Sequence, residues 1–247
     1  MRGLGKLILT NIKLSLREPI TTFFTIAFAP MLVIIFGAMY GNDPSPYFGG
    51  RGSMDVTIPA YIGLIVGSVG LLSVPINISV QRESGVLRRY QATPLRPLVY
   101  ILADLLSNLI VTLLGIFSLL LVGWLIYHVQ MEGSVFLVIL AVFLGCLSMF
   151  SIGYLIASIA PSSRAGQVLG MVIFYPMMFL SGAGMPLEIL PATIRSIARF
   201  LPLYYVVNLV KGFWFGEAFS EHLLDIVVLL GILLVGYGVS SRLFRWK

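Results

Sequence analysis

Charged side chains are scarce in this sequence. Asp, Glu, Lys and Arg make up 11% of its 247 residues, whereas hydrophobic residues make up 58%. A soluble domain has about 25% charged and about 45–50% apolar residues. The apolar residues gather in runs long enough to cross a bilayer core about 30 Å thick, which takes about 20 helical residues. This pattern excludes a soluble domain and predicts an all-α polytopic membrane protein.

Cysteine and histidine are also nearly absent, with one and two residues respectively. A single cysteine excludes an intramolecular disulfide framework and a cysteine metal site. Cys146 lies in an apolar run, where a small buried hydrophobic side chain is expected. His128 and His222 are far apart and lack the spacing of a paired metal site. We therefore predict no metal site and no cofactor on this chain.

The sequence lacks a phosphate-binding loop as well. Such a loop needs the pattern GxxxxGK[ST], and the one Gly-Lys pair, Gly5-Lys6, is followed by Leu7. No polar stretch is large enough for a nucleotide-binding domain. We expect no ATPase site in this sequence.

Carboxylates inside the apolar runs are limited to Asp104 and Asp225. Ionisable groups at membrane depth are costly and mark functional sites by default. Asp225 falls at the outer end of its run. Asp104 falls one to two turns inside a long run, where it is predicted to pair with Arg88, Arg89 or Arg96. Because no nucleophile converges on either carboxylate, we predict no catalytic residue.

Six transmembrane helices are predicted from the apolar runs. They cover residues 20–40, 58–80, 98–127, 134–159, 166–183 and 223–243. An even number of spans places both termini on one side. With the termini inside, 12 of the 16 Lys and Arg residues are cytoplasmic and 4 are outside. The positive-inside rule therefore predicts cytoplasmic termini and assigns the net positive charge to topology, which leaves little ground for nucleic-acid binding.

An amphipathic helix is predicted over residues 1–18, before the first span. Leu4, Leu7, Ile8 and Leu14 share one face. The other face carries a basic stripe of Arg2, Lys6, Lys13 and Arg17. This pattern is typical of a helix that lies in the membrane interface. It either anchors the chain to lipid or also contacts a partner protein.

Residues 184–216 are apolar but interrupted by Pro186, Pro191 and Pro202. No uninterrupted run there is long enough to span a bilayer. Pro191 and Pro202 suit the first turns of two helices. We predict a pair of short re-entrant or capping helices on the outer side, between the fifth and sixth spans.

A basic insertion, QRESGVLRRYQATPLRP, occupies residues 81–97 between two spans. Its arginines fit a topology signal. Ser84 is predicted to cap a short helix over residues 85–92, and Thr93-Pro94 to start the next helix. Because a topology signal needs no capped helix with a rigid turn, the insertion favours a docking element.

The insertion resembles a signature of ABC-2-type exporter permeases. Glu83, Gly85 and Leu87 followed by Thr93-Pro94 match the approximate pattern E-x-G-[TV]-L-x-x-x-x-x-T-P. A second resemblance lies in the outer segment, at Pro186, Leu187, Leu190, Pro191, Pro202 and Tyr205. Six spans and an interfacial helix match the family too, and the resemblance covers the whole of residues 1–247 as one transmembrane domain.

The resemblance implies one half of an export pore in a bacterial-type inner membrane. A second permease copy or a sister permease completes the pore, and two copies of a separate ATP-binding subunit carry ATP and Mg. Residues 81–97 are then the coupling helix. The coupling residues are Glu83, Gly85, Leu87, Arg88, Arg89, Tyr90, Thr93 and Pro94.

Short outer loops favour a drug-like or lipid-like amphiphile as substrate, although the sequence names no cargo. A candidate substrate path follows the fifth span. Its members are Met171, Phe174, Tyr175, Met177 and Phe179. These residues are expected either to line a path or to pack in the ordinary way. The alternative function class is a stand-alone secondary transporter or channel without an ATPase partner, since Pro75 and Pro176 interrupt two spans.

Overall fold

The computed structural model describes residues 4–86, 97–187 and 190–243. Within these ranges the chain is helical, apart from turns and one isolated bridge between Pro44 and Gly52. We number the α-helices in chain order. They are α1 (Leu4–Ser15), α2 (Pro19–Thr22), α3 (Phe28–Tyr40), α4 (Ser53–Ser68), α5 (Val74–Glu83), α6 (Pro97–Tyr127), α7 (Val135–Ile159), α8 (Ser163–Leu180), α9 (Ala192–Ala198), α10 (Pro202–Trp214) and α11 (Leu223–Leu243).

Two π-helical turns join neighbouring helices into longer ones. Phe23–Ala27 joins α2 to α3, and Val69–Ser73 joins α4 to α5. The second pair forms one continuous helix, Ser53–Glu83, which we call the central helix because nearly all of its residues are buried. The end of the bundle where the central helix runs into residues 87–96 is called the proximal end here. The opposite end is the distal end.

Five helices in the described ranges are long and apolar enough to cross a membrane. They are Phe23–Tyr40, Ser53–Glu83, Val99–Tyr127, Val135–Ile159 and Phe219–Leu243. These helices overlap the first, second, third, fourth and sixth predicted spans. The fifth predicted span coincides with the 18-residue helix α8, which is not among the five. The chain is thus an all-α polytopic membrane protein, as predicted, and the fifth predicted span, residues 166–183, stays a prediction as a membrane crossing.

The central helix begins earlier than the apolar run from residue 58 predicts. Asn42, in the preceding loop, accepts hydrogen bonds at Oδ1 from the backbone N–H groups of Met54 (2.9 Å) and Asp55 (3.3 Å). The Ser53 hydroxyl donates to the Gly41 carbonyl at 2.5 Å. These bonds satisfy helix-start groups that otherwise lack partners. Residues 53–57, which precede the predicted span 58–80, are therefore the start of the helix.

Each π-helical turn lies just before a proline, and a neighbouring helix approaches the carbonyl four residues before that proline. Pro30 has no N–H to donate to the Ile26 carbonyl four residues earlier. The Ser118 hydroxyl of α6 donates to that carbonyl instead, at 3.1 Å. Near Pro75, the Leu71 carbonyl faces the backbone of Gly170 in α8. Neighbouring helices thus cover the irregular backbone, as a membrane interior requires.

Glycines let the surrounding helices approach the central helix closely. A Cβ atom at Gly153 of α7 would meet the Gly70 carbonyl oxygen. On the distal half, Gly63 and Gly67 face Val207 and Leu203 of α10. The Gly-x-x-x-Gly pattern therefore forms the groove in which α10 packs, consistent with its role in close helix contacts.

The two predicted short helices between the fifth and sixth spans are present as α9 and α10. Pro191 is the N-cap of α9, and Pro202 occupies the first turn of α10. Helix α10 does more than cap the bundle, because its Leu203, Val206 and Val210 side chains are fully buried. It packs against the central helix, α7 and α11.

Helix α1 packs along α6 at the proximal end. Asn11 and Ser15 are buried, and Ser107 of α6 donates a hydrogen bond to the Ile8 carbonyl at 3.3 Å. Leu4, Leu7 and Ile8 are half-buried, whereas Leu14, predicted on the same apolar face, is exposed. The apolar face therefore lies largely against protein. The interfacial placement of the helix remains a prediction.

Candidate functional site

The candidate coupling segment is residues 81–97. Its first three residues are also the last three residues of the central helix, which ends at Glu83. Glu83 and Gly85 are described, whereas Leu87, Arg88, Arg89, Tyr90, Thr93 and Pro94 lie outside the described residues. The N–H of Gly85 donates to the Arg82 carbonyl at 3.1 Å. Gly85 has a φ of 71°, in the left-handed region that favours glycine. This conformation ends the helix, and Ser84 is its C-cap. The predicted capping of a helix over residues 85–92 by Ser84 falls mostly on residues outside the described ranges and stays a prediction.

Glu83 connects the central helix to the start of α8. Its Oε1 accepts from the backbone N–H of Ser163 at 2.9 Å, and its Oε2 accepts from the Ser163 hydroxyl at 2.5 Å. Ser162 caps the same helix, since its hydroxyl oxygen accepts from the Ala165 N–H at 3.1 Å. A carboxylate at a helix N-terminus also interacts favourably with the helix dipole.

Arg82 connects the central helix to the end of α7. Its guanidinium donates to the Ala157 carbonyl at 3.1 Å and also to the Ala160 carbonyl. Both carbonyls belong to the last turn of α7 or the residue after it, where helix groups lack internal partners. A cation suits this negative end of the helix dipole. Arg82 and Glu83 together hold both ends of the short connection 160–162, an arrangement that we call the turn clamp.

The far side of the coupling segment is tied to the near side by Tyr100. This residue lies in the first turn of α6, and its hydroxyl donates to Gln81 Oε1 at 3.0 Å. Both side chains are buried. A buried hydrogen bond therefore joins the two helices that enter and leave residues 87–96. The ends of the coupling segment are fixed relative to each other.

Asp104, one turn further along α6, is buried with 2% of its surface exposed. Its Oδ2 accepts from the Tyr154 hydroxyl of α7 at 2.7 Å and from the Asn108 side chain at 3.1 Å. The Tyr154 ring packs on Tyr237 of α11, with centroids 5.5 Å apart. The arginines predicted to pair with Asp104 lie outside the described residues. The observed donors tie α6 to α7 directly.

The basic stripe of α1 is only partly described. Lys6, Lys13 and Arg17 are exposed, and Arg2 lies outside the described residues. Leu9 and Leu16 are exposed beside the stripe, with 60% and 36% of their surfaces accessible. The exposed surface of residues 6–17 thus carries both basic and apolar side chains. Its contribution to lipid or partner binding stays a prediction.

The predicted external motif lies at the distal end. Leu187 packs beneath Gly182, and its carbonyl accepts from the Leu190 N–H at 3.1 Å. Tyr205, in the first turn of α10, donates its hydroxyl to the Arg199 carbonyl at 2.6 Å. These contacts shape the entry into α9 and the turn from α9 to α10. They indicate a structural contribution, and any contribution to transport stays a prediction.

The candidate substrate-path residues of α8 do not share one surface. Phe174 and Met177 are buried in the core, where the Phe174 ring contacts Phe24 with centroids 6.1 Å apart. Phe179 is exposed with 57% of its surface accessible, and Met171 and Tyr175 are half-buried. Two of the five side chains are therefore core packing. A substrate path along α8 between two protomers stays a prediction.

A distal polar cluster was missed by the sequence interpretation. His222 lies between two carboxylates, with Nδ1 at 2.7 Å from Asp225 and Nε2 at 2.8 Å from Glu217. Asn208 of α10 donates to the same Asp225 oxygen at 2.8 Å. His222 and Asp225 are both buried. The i, i+3 spacing of His222 and Asp225 at a helix start was the available signal. The cluster fastens α10 to α11.

Comparison with known proteins places these features in context. Residues aligned with nodulation protein J of Rhizobium leguminosarum bv. viciae are 33% identical over 99 residues, covering 40% of this chain and 38% of that protein. The inner membrane transport permease YhhJ of Escherichia coli is 27% identical over 170 residues, covering 66% and 46%. The probable multidrug ABC transporter permease YbhS of Escherichia coli is 24% identical over 161 residues, covering 65% and 43%.

The chain thus spans less than half the length of these curated relatives. The family profile described as ABC-2 type transporter matches a larger part of the chain, residues 4–215. The matched range contains the turn clamp, both flanks of the coupling segment, and α9 with α10. The protein is an integral membrane protein, and it belongs to the ABC-2 type transporter family.

Proposed function

We propose that this chain is a permease subunit of an ATP-driven exporter. A separate ABC ATPase, in two copies, hydrolyses ATP at the cytoplasmic side, and this chain pairs with a second permease to form the pathway. The complex moves a hydrophobic or amphiphilic molecule outward across a bacterial inner membrane. The proximal end is cytoplasmic in this proposal, as are both termini. Relatives named as transport permeases, one of them as a probable multidrug permease, support it.

The single observation that carries the coupling mechanism is the fixation of both flanks of residues 87–96. Gln81, Arg82 and Glu83 hold the near flank, and Tyr100 and Asp104 hold the far flank. A segment between two fixed ends transmits displacement, whereas a segment on loose ends absorbs it. A push on this segment would therefore move α6 and the central helix, and the turn clamp would carry the motion to α7 and α8.

Co-purification with an ABC ATPase from the same genome tests the proposal. We expect the ATPase to bind the purified permease and its hydrolysis rate to change on assembly. Replacing Leu87, Arg88 and Arg89 with alanine should weaken binding or abolish that change. The matched control replaces Arg195, Ile197 and Arg199, an exposed set of two arginines and one aliphatic residue on α9 and at its C-cap, at the distal end. It should leave both measurements intact.

A stand-alone secondary transporter or channel makes the opposite predictions. Transport would then proceed in vesicles without any ATPase and would follow an ion gradient. Normal coupling by the Leu87, Arg88 and Arg89 triple variant would also contradict the docking assignment. Labelling of introduced cysteines with an impermeant maleimide tests orientation in a Cys146→Ala background. Glu221→Cys should react in intact cells, and Lys6→Cys only after permeabilisation.

A further inference from the structure

A cavity of about 500 Å³ lies at the distal end, between α3, the start of the central helix and residues 184–186. Met54, Thr57 and Tyr61 of the central helix form its buried floor. Pockets for drug-sized ligands commonly measure about 300–1,000 Å³. The cavity therefore has room for a small organic molecule, and it lies outside the coupling site at the proximal end.

Aromatic rings make up much of the cavity wall. Phe36, Tyr40, Phe48 and Tyr61 line it from three separate segments of the chain. Phe36 and Tyr40 are stacked one helical turn apart, with ring centroids 6.3 Å apart and planes inclined by 18°. Aromatic faces attract both apolar groups and cations, the latter because of the ring quadrupole. The wall suits a ligand that has an apolar body and a positive charge.

One charged side chain, Asp43, lines the cavity within the described part of the chain. Its carboxylate makes no ion pair or side-chain hydrogen bond with another described residue. Arg51, the basic residue of the same loop, instead contacts Glu132 at 3.1 Å and lies 3.9 Å from the centroid of the Phe215 ring. The nearest basic residue in sequence thus has other partners. Among the described residues, the charge at the cavity is negative and has no basic partner.

We propose that this cavity binds amphiphilic cations. Asp43 meets the positive group, the Phe36 and Tyr40 rings contact the apolar body, and the floor at Tyr61 limits its depth. A carboxylate among aromatic rings disfavours an anionic amphiphile and gives no advantage to an uncharged one. The role of the cavity as an exit-side substrate site rests on the proposed export function. The binding itself does not.

Equilibrium binding of tetraphenylphosphonium to the purified permease tests the inference. The full chain is placed in nanodiscs without any ATPase or nucleotide, and binding is corrected for empty nanodiscs. Tetraphenylborate, an ion of the same shape and opposite charge, is the matched ligand. We expect saturable binding of the cation and weaker binding of the anion. Asp43→Asn should weaken cation binding about tenfold, the factor that corresponds to about 1.4 kcal/mol.

Two further variants serve as controls. One removes a carboxylate outside the cavity, and the other reduces the volume of the cavity. Glu221→Gln removes an exposed distal carboxylate that does not line the cavity, and it should leave cation binding unchanged. Thr57→Phe places a larger side chain on the cavity floor and should reduce binding of both ions. Asp43 is exposed, so Asp43→Asn is expected to fold normally, which the melting temperature of the purified variant checks.

Equal affinity of wild type and Asp43→Asn for the cation would overturn the inference. Equal binding of both ions would do the same, because the charge of Asp43 would then not contribute to binding. Failure of the export proposal is distinguishable from either result. A permease that binds the cation through Asp43 but neither binds nor stimulates an ATPase retains this site and loses the proposed function.

Discussion

Arg82 and Glu83 are adjacent in the sequence, and they hold the opposite ends of two other helices. The guanidinium contacts the C-terminal carbonyls of α7, and the carboxylate contacts the N-terminus of α8. Each charge complements the dipole of the helix end that it meets. The last turn of the central helix is therefore coupled to the connection between α7 and α8, directly beside the segment proposed to meet the ATPase.

The first prediction concerns Glu83 and Ser163. Glu83→Gln and Ser163→Ala should each lower substrate-stimulated ATP hydrolysis by the assembled complex severalfold, because each weakens the contact between the central helix and α8. The double variant should be no worse than the more severe single one, since both changes remove the same contact. ATPase assays on the four proteins measure this. Additive losses would contradict a shared role, and Glu221→Gln serves as the control.

The second prediction concerns the buried carboxylate of Asp104. Tyr154→Phe removes the hydroxyl that donates to Asp104 at 2.7 Å and leaves a buried acceptor with one donor fewer. We expect the free energy of unfolding to fall by about 1–3 kcal/mol. Thermal unfolding of the purified permease measures the change. Tyr204→Phe, a hydroxyl removal at a half-buried position on α10, is the control. Equal melting temperatures for both variants would show that the hydrogen bond from Tyr154 to Asp104 does not stabilise the protein.

The third prediction concerns the close approach of α7 to the central helix. Gly153→Ala would press a methyl group against the Gly70 carbonyl, and we expect a loss of about 1–3 kcal/mol through overpacking. Gly231→Ala is the matched control, because it too replaces a helix glycine but has open space around it. Yield and melting temperature of the two variants should differ clearly. Similar behaviour would show that the helices can separate without cost.

The fourth prediction concerns the distal polar cluster. His222→Ala removes one of the two partners of the buried Asp225 carboxylate, and we expect a loss of about 1–3 kcal/mol. Adding Asp225→Asn should restore part of that stability, because a neutral amide is less costly to bury than a carboxylate. Thermal unfolding of the single and double variants measures the rescue. A double variant less stable than His222→Ala would argue against a buried charge as the cause.

Much of the architecture could be predicted from the apolar runs and the prolines. Five predicted spans overlap long apolar helices, and Pro191 and Pro202 stand at the starts of α9 and α10. These features are local, because a run length or a proline acts on its own stretch of chain. The family resemblance of the coupling segment was visible for the same reason. Its residues are close together in the sequence.

Contacts between distant residues could not be predicted in this way. Asn42 caps a helix that starts eleven residues later, and Ser118 satisfies a carbonyl 92 residues away. From the sequence, Arg82 and Glu83 were interpreted as parts of a basic insertion. Their hydrogen-bond partners lie more than 70 residues further along the chain. The five candidate substrate-path residues of α8 were chosen because they are aromatic residues or methionines. Their burial depends on helix rotation against neighbours that the sequence does not specify.

The π-helical turn Val69–Ser73 determines how the two halves of the central helix are rotated about the helix axis relative to each other. One inserted residue rotates everything beyond it by about 100° relative to an uninterrupted helix. Gly63 and Gly67 face α10 above the turn, and Arg82 and Glu83 face α7 and α8 below it. Deleting one residue from the turn would leave the distal contacts in place and point the turn clamp away from its helices. The angular alignment of the two ends of the permease is thus encoded by a single extra residue in the middle.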